Sequence, residues 1–228
     1  ISIDTLKALT QAAIHGHLEN SSGAKLNDFN GTVEIKIYDK KIAKETLDNN
    51  ETGAPFKYVT QSSLLFKTIA EVTNGNYSSD IIIPKNILSN FDYSKISLFA
   101  ISDNDDAKGS DKNYMLGGMD LNAPDDITGP GIQIYLNDST FVFGDHVPPV
   151  PYFIAKLSDE SGINITSNSI ENNLILTLNK ARDTEYVLNE KYHTDLNTYK
   201  TGSIVYQLQD ITNGSHTLEF SASDNHNN

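Results

Sequence analysis

The feature that most constrains this chain is a period-2 alternation of apolar and polar residues, broken every few residues by clusters of Asn, Ser, Gly and Pro. The run Gly31-Thr-Val-Glu-Ile-Lys-Ile-Tyr38 puts Val33, Ile35 and Ile37 on one face and Glu34 and Lys36 on the other. Ser203-Ile-Val-Tyr-Gln-Leu208 and Thr217-Leu-Glu-Phe-Ser-Ala222 repeat the pattern. Further strands are expected at 3–9, 13–18, 64–72, 77–83, 96–101, 132–136, 140–143, 152–157, 173–178 and 185–188. No segment sustains a 3.6-residue apolar period. The chain holds 24 Asn, 21 Ser, 14 Gly and 7 Pro, which supply turn geometry and side-chain-to-backbone hydrogen bonds that compete with helix. About a dozen short strands with turns between them predict an all-β fold built of two tandem antiparallel immunoglobulin-like β-sandwiches.

Length supports two units. For 228 residues of β-rich chain, two domains of roughly 110 residues each are the better expectation. The segment Leu121-Asn-Ala-Pro-Asp-Asp-Ile-Thr-Gly-Pro-Gly131 lacks alternation and holds two Pro, two Gly and an acidic pair. It places a boundary between residues 1–125 and 126–228. Charge splits about it, with 12 basic and 17 acidic groups before and 5 and 13 after. The Pro-rich run Asp145-His-Val-Pro-Pro-Val-Pro151 reads as a loop inside the second domain.

Charge and composition exclude several functions. A formal net charge of −13 leaves no basic surface for nucleic acid or anionic lipid. With no cysteine, a thiol nucleophile, a disulfide and a thiolate metal site are all absent from these residues. No apolar run is long enough to cross a membrane as a helix. The chain opens at Ile1 without initiator Met or signal h-region, as a piece of a longer protein would. No Gly-x-Ser-x-Gly elbow, dinucleotide fingerprint or Walker loop occurs.

The densest chemical constellation is Asp103-Asn-Asp-Asp-Ala-Lys-Gly-Ser-Asp111. Ca²⁺ takes roughly six to eight oxygens, and Asp103, Asp105, Asp106 and Asp111 are its candidate ligands, with Gly109 free to bend the chain. An EF-hand is excluded, since Lys108 and Tyr114 stand where Gly and Glu would be required. The competing reading is a solvated acidic loop joining the 96–101 strand to one around Tyr114. His15 and His17 share a strand face and are either two corners of a metal site or polar groups on an edge strand. Asp224 and His226 carry no signal as chemistry. Tyr186, Tyr192, Tyr199 and Tyr206 are candidates for a sugar-stacking platform.

Specific words then carry the reading further. Asn27-Asp-Phe-Asn-Gly31, Tyr38-Asp-Lys40, Phe56-Lys-Tyr58, Asn74-Gly-Asn-Tyr-Ser78 and Ile83-Pro-Lys-Asn-Ile87 occur in that order. They are followed by Lys95-Ile-Ser97, Asp105-Asp-Ala-Lys-Gly109, Gly117-Gly118 and Thr128-Gly-Pro-Gly-Ile-Gln-Ile-Tyr-Leu-Asn137. Ala155-Lys-Leu-Ser-Asp-Glu-Ser-Gly-Ile163, Tyr186-Val-Leu-Asn189 and His216-Thr-Leu-Glu-Phe220 complete the set. Over nearly its whole length the chain resembles the region C-terminal to the catalytic domain in the PorU-type sortases, gingipain-like cysteine peptidases of the type IX secretion system in Bacteroidota. The resemblance implies a surface-exposed, outer-membrane-associated parent that cleaves C-terminal sorting domains from cargo and helps attach cargo to anionic lipopolysaccharide. It implies as partners the parent's catalytic domain, the outer-membrane protein PorV, the attachment complex and the cargo. Because this chain has no cysteine, the catalytic dyad cannot be carried onto it, and the expected role is support or recruitment without catalysis. The alternatives are a cell-surface glycan-binding or adhesin module and a spacer of some other secreted hydrolase.

Overall fold

The computed structural model describes residues 5–47, 49, 51, 53–166, 172–180, 184–209 and 211–228. Among these it is an all-β protein with antiparallel sheets and no α-helix. The first half carries β1 (Thr5–Ala8), β2 (Gln11–His17), β3 (Gly31–Tyr38), β4 (Ile42–Glu45), β5 (Lys57–Thr60), β6 (Leu64–Thr73), β7 (Asn76–Ile82), β8 (Asp92–Tyr93), β9 (Lys95–Ile101), β10 (Asp106–Asp111) and β11 (Met115–Met119). The second carries β12 (Gly131–Leu136), β13 (Tyr152–Ser158), β14 (Ile175–Leu178), β15 (Glu185–Val187), β16 (Tyr192–Thr194), β17 (Thr201–Gln207) and β18 (Leu218–Ser221).

A six-stranded sheet of order β10-β9-β3-β6-β7-β2 lies over a three-stranded sheet β1-β11-β8. Alternation on β3 explains the layering: Val33, Ile35 and Ile37 are almost wholly buried and meet Leu6 of β1 and Leu116 of β11 in one apolar cluster. Each such side chain contributes about 1.5–3 kcal/mol by leaving water. The second half builds its own cluster between β12-β13-β17-β16 and β15-β14-β18, around Phe153, Leu157, Leu176, Tyr192 and Ile204. The β6–β7 hairpin turns at Asn74 and Gly75, both at positive φ (50° and 72°), as a tight hairpin needs. A Cβ on Gly75 would sit 2.2 Å from the Leu26 carbonyl oxygen, so that position is closed to larger residues.

The structure departs from the sequence reading in definite places. β4 and β5 form an unforeseen two-stranded ribbon, because Lys and Glu on both faces hid the alternation. Residues 140–143 form turns and not a strand, held by Asp138 and Asp145 side chains accepting backbone N–H bonds from Thr140 and Val142. β1 and β11 pair in parallel, an exception to the antiparallel rule. The acidic stretch 103–111 is only partly a loop, since its second part is β10.

The halves meet through backbone bonds as well as side chains. β6 separates from β7 along most of its length, and the edge it exposes is taken by residues 194–197. The Ile69 N–H donates to Thr194 Oγ1 (3.2 Å), Asn197 N–H to the Ile69 carbonyl (2.8 Å) and Glu71 N–H to Asn197 Oδ1 (2.8 Å). Tyr199 packs edge-on against Phe66 inside the first cluster.

Candidate functional site

The sequence-predicted cation ligands are spread along a hairpin. β9 and β10 pair in register from Ile101 with Asp106 to Ile96 with Asp111, so Asp106 and Asp111 stand at opposite ends of β10, about 16 Å apart at strand rise. Asp103 and Asp105 occupy the tip, whose turn is closed by Ser102 N–H to the Asp105 carbonyl (2.9 Å) and by Asp105 N–H to Ser102 Oγ (3.0 Å). The tip faces Lys25–Asn30 across an open groove. All four carboxylates lie in water or at its edge.

Three other carboxylates converge. Oxygens of Asp126, Asp159 and Asp224 lie within 4.8 Å of one another, and no other such group of His, Asp or Glu occurs among the described residues. Each is fixed by a turn whose donor follows in sequence. Asp126 accepts the Thr128 N–H (3.0 Å) and hydroxyl (2.8 Å), and the Ser161 hydroxyl from across the site. Asp159, just past the end of β13, accepts the Ser161 N–H at 2.7 Å. Asp224 is fully buried; it accepts the N–H groups of His226 (2.9 Å) and Asn228 (2.8 Å) and the Asn228 amide (3.0 Å). That same amide donates to the Asp126 carbonyl at 2.8 Å, so hydrogen bonds run in a chain from Asp159 through Ser161, Asp126 and Asn228 to Asp224.

Environment pushes the members apart. The Ser161 and Thr128 donors hold the Asp126 carboxyl down at about 2. Burial and the neighbouring Asp224, Asp126 and Glu160 charges push Asp159 up to about 6 against one opposing backbone bond. These three oxygen donors could hold a hard cation. Their place in the molecule is the junction. Asp126 belongs to the boundary segment, Asp159 and Asp224 to the second half, and the next residues reach the first half. The Lys85 N–H donates to the Asn225 carbonyl (2.9 Å) and Lys85 Nζ to the His226 carbonyl (3.3 Å). Asn86 donates to Thr166 Oγ1 (2.8 Å) and accepts from Asn164 (3.0 Å).

Sequence reasoning missed this group because its members lie far apart in the chain. The available signal was the recurrence of an Asp followed two residues later by a Thr, Ser or backbone donor, a turn pattern common at surfaces. His15 and His17 lie on β2, at a sheet edge, and His17 pairs with Glu19 at 2.7 Å. Tyr192 and Tyr199 are buried, while Tyr186 and Tyr206 meet at a tilt and pack against the second cluster, so the four rings form core and not a platform.

The fold and site define a cysteine-free β module whose polar chemistry joins two halves, with no cysteine dyad in these residues. Among solved structures the chain is similar to dimeric latent PorU from Porphyromonas gingivalis, with 26% identity and a TM-score of 0.54. The likeness covers 98% of this chain and 21% of that one, so the chain spans about a fifth of that protein's length. No protein-family model matches the sequence, and no curated protein matches it.

Proposed function

We propose that this chain is a non-catalytic region of a PorU-like sortase of the type IX secretion system. In this reading the parent is a gingipain-like cysteine peptidase at the bacterial cell surface, associated with the outer membrane, that removes C-terminal sorting domains and helps attach cargo to anionic lipopolysaccharide. The region supports the catalytic domain or recruits PorV, the attachment complex or cargo. One observation carries it: the PorU likeness runs over 98% of this chain, both halves included. The absent cysteine agrees, since the reaction would have to be performed elsewhere in the parent.

Two structural readings belong with it. The chain consists of two immunoglobulin-like sandwiches, 1–125 and 126–228, each with its own apolar cluster as support. Ca²⁺ serves as an accessory ion at Asp126, Asp159 and Asp224, supported by the convergence of their oxygens. In the encoding bacterium, an in-frame deletion of residues 1–228 from the parent should leave cargo with uncleaved sorting domains. Normal cargo processing and surface display in that strain would refute the proposal.

A further inference from the structure

An edge strand offers unpaired N–H and C=O groups, and natural sheets protect such edges with charged side chains, inward charges or short strands. Among the described residues this practice is followed at nine of the ten sheet edges. β1 carries Lys7, β8 Asp92, β10 Asp106, Lys108 and Asp111, and β2 His15 and His17. β16 carries His193, β15 Glu185, β18 Glu219, β4 Lys44 and Glu45, and β5 Lys57. β12, with the sequence Gly-Ile-Gln-Ile-Tyr-Leu, has no acidic, basic or imidazole group over its six residues.

Its side chains are also left half-covered. Ile132 pairs with Leu157 and Ile134 with Ala155, so both share the face of residues that are wholly buried. Yet Ile132 is 39% exposed and Ile134 41%. The other edge of the same sheet shows what coverage looks like. On β16, Tyr192 is 1% and Thr194 8% exposed, with Thr194 bonded to β6 of the first half.

We propose that β12 is a strand-addition site whose occupant is an extended segment of a partner polypeptide, apolar at alternate positions and basic at its ends. Strand addition uses main-chain bonds for affinity and alternate side chains for selection. Here the incoming apolar row would cover Ile132 and Ile134. Charge selects the ends. Asp125 and Asp126 precede β12, Asp138 and Asp145 follow it, and residues 126–228 hold 5 basic groups against 13 acidic. Lys156 is opposite Gln133 in register and lies 5.9 Å from the Tyr135 ring, at mid-strand and not at an end. A second copy of this chain is disfavoured, because antiparallel pairing of two β12 strands would set these acidic ends against each other.

The test uses the whole chain and two fluorescein-labelled peptides of alternating Val and Thr, one with paired Lys at each end and one with paired Glu. Fluorescence anisotropy should show the Lys-ended peptide binding at least tenfold more tightly, with the difference shrinking in high salt. Ile134→Lys, which places an inward charge on the edge, should weaken that binding at least tenfold while leaving the melting temperature within a few degrees. Amide exchange in the unaltered chain should slow in residues 131–136 on peptide addition, which decides the matter should Ile134→Lys misfold. Equal affinity for both peptides, no binding, or protection elsewhere overturns the proposal. So does self-association of the chain that Ile134→Lys abolishes.

Discussion

The molecule has two acidic regions, and they are opposites. The hairpin at 103–111 concentrates four carboxylates in nine residues, yet pairing of β9 with β10 stretches them along a strand. The junction gathers Asp126, Asp159 and Asp224 from distant parts of the chain into one run of hydrogen bonds with Ser161 and Asn228. Density along the sequence therefore said little about density in space. What converges carboxylates is a set of turns placed by two sheets. Water screens the hairpin charges from one another, whereas at the junction donors hold Asp126 down and burial pushes Asp159 up.

The sharpest contrast should come from alanine. Asp224→Ala removes a buried acceptor and strands the donors of His226 and Asn228, for an expected loss of about 3 kcal/mol. That corresponds to a fall in Tm on the order of 5–10 °C in a thermal melt. Asp105→Ala should cost under about 0.5 kcal/mol, as surface changes do. Equal losses would erase the distinction between the regions.

Next in size is the contact between halves. Asn197 sits at φ 62° and its side chain accepts the Glu71 N–H. Asn197→Ala should cost about 2 kcal/mol through the lost bond and the strained backbone, and Asn197→Gly about half of that, by denaturant unfolding. A null result for both would mean the halves do not stabilise each other there.

The pH dependence separates the junction's own members. Asp159 stands near 6 in the folded chain against an ordinary 3.8, so the folded state holds a proton that the unfolded chain has already released. Stability therefore falls as pH rises from about 4 to about 6 and stays lowered above that. Asp159→Asn should raise stability at pH 7 by about 1 kcal/mol, reduced from the full shift by solvent screening, and change nothing below pH 4. Asp126, held at about 2, works in the other direction: its contribution is present above pH 4 and lost as pH falls through 2. Melts at pH 4, 5, 6 and 7 read the Asp159 effect, and a titration to pH 2 reads the other.

The smallest effect concerns cations. A rise in Tm with millimolar Ca²⁺ is expected to vanish in Asp159→Asn and Asp224→Ala and to survive in Asp105→Ala and Asp111→Ala. The reverse pattern would return the ion to the hairpin.

Much of the fold was legible in the residues because one face of each long strand is buried. Val33, Ile35 and Ile37, or Phe153, Ala155 and Leu157, leave a period-2 trace that only a half-buried strand explains. β4, β5 and β10 were illegible because both of their faces meet water and the constraint disappears. The junction was illegible for another reason. Asp126 stood out only as part of a loop, and Asp224 only as a polar residue, since Asp126 meets its donors Ser161 and Asn228 through the fold and not through sequence spacing. The words that resemble PorU-type sortases needed no geometry, and a structural likeness to PorU covers 98% of the chain.

The most direct measurement is peptide mapping, by mass spectrometry, of the intact polypeptide that carries this sequence in the outer-membrane fraction of the encoding bacterium. Peptides from residues 1–228 should belong to one polypeptide with an upstream gingipain-like domain containing the catalytic His and Cys. A mature polypeptide that carries this sequence without any such domain would contradict this expectation.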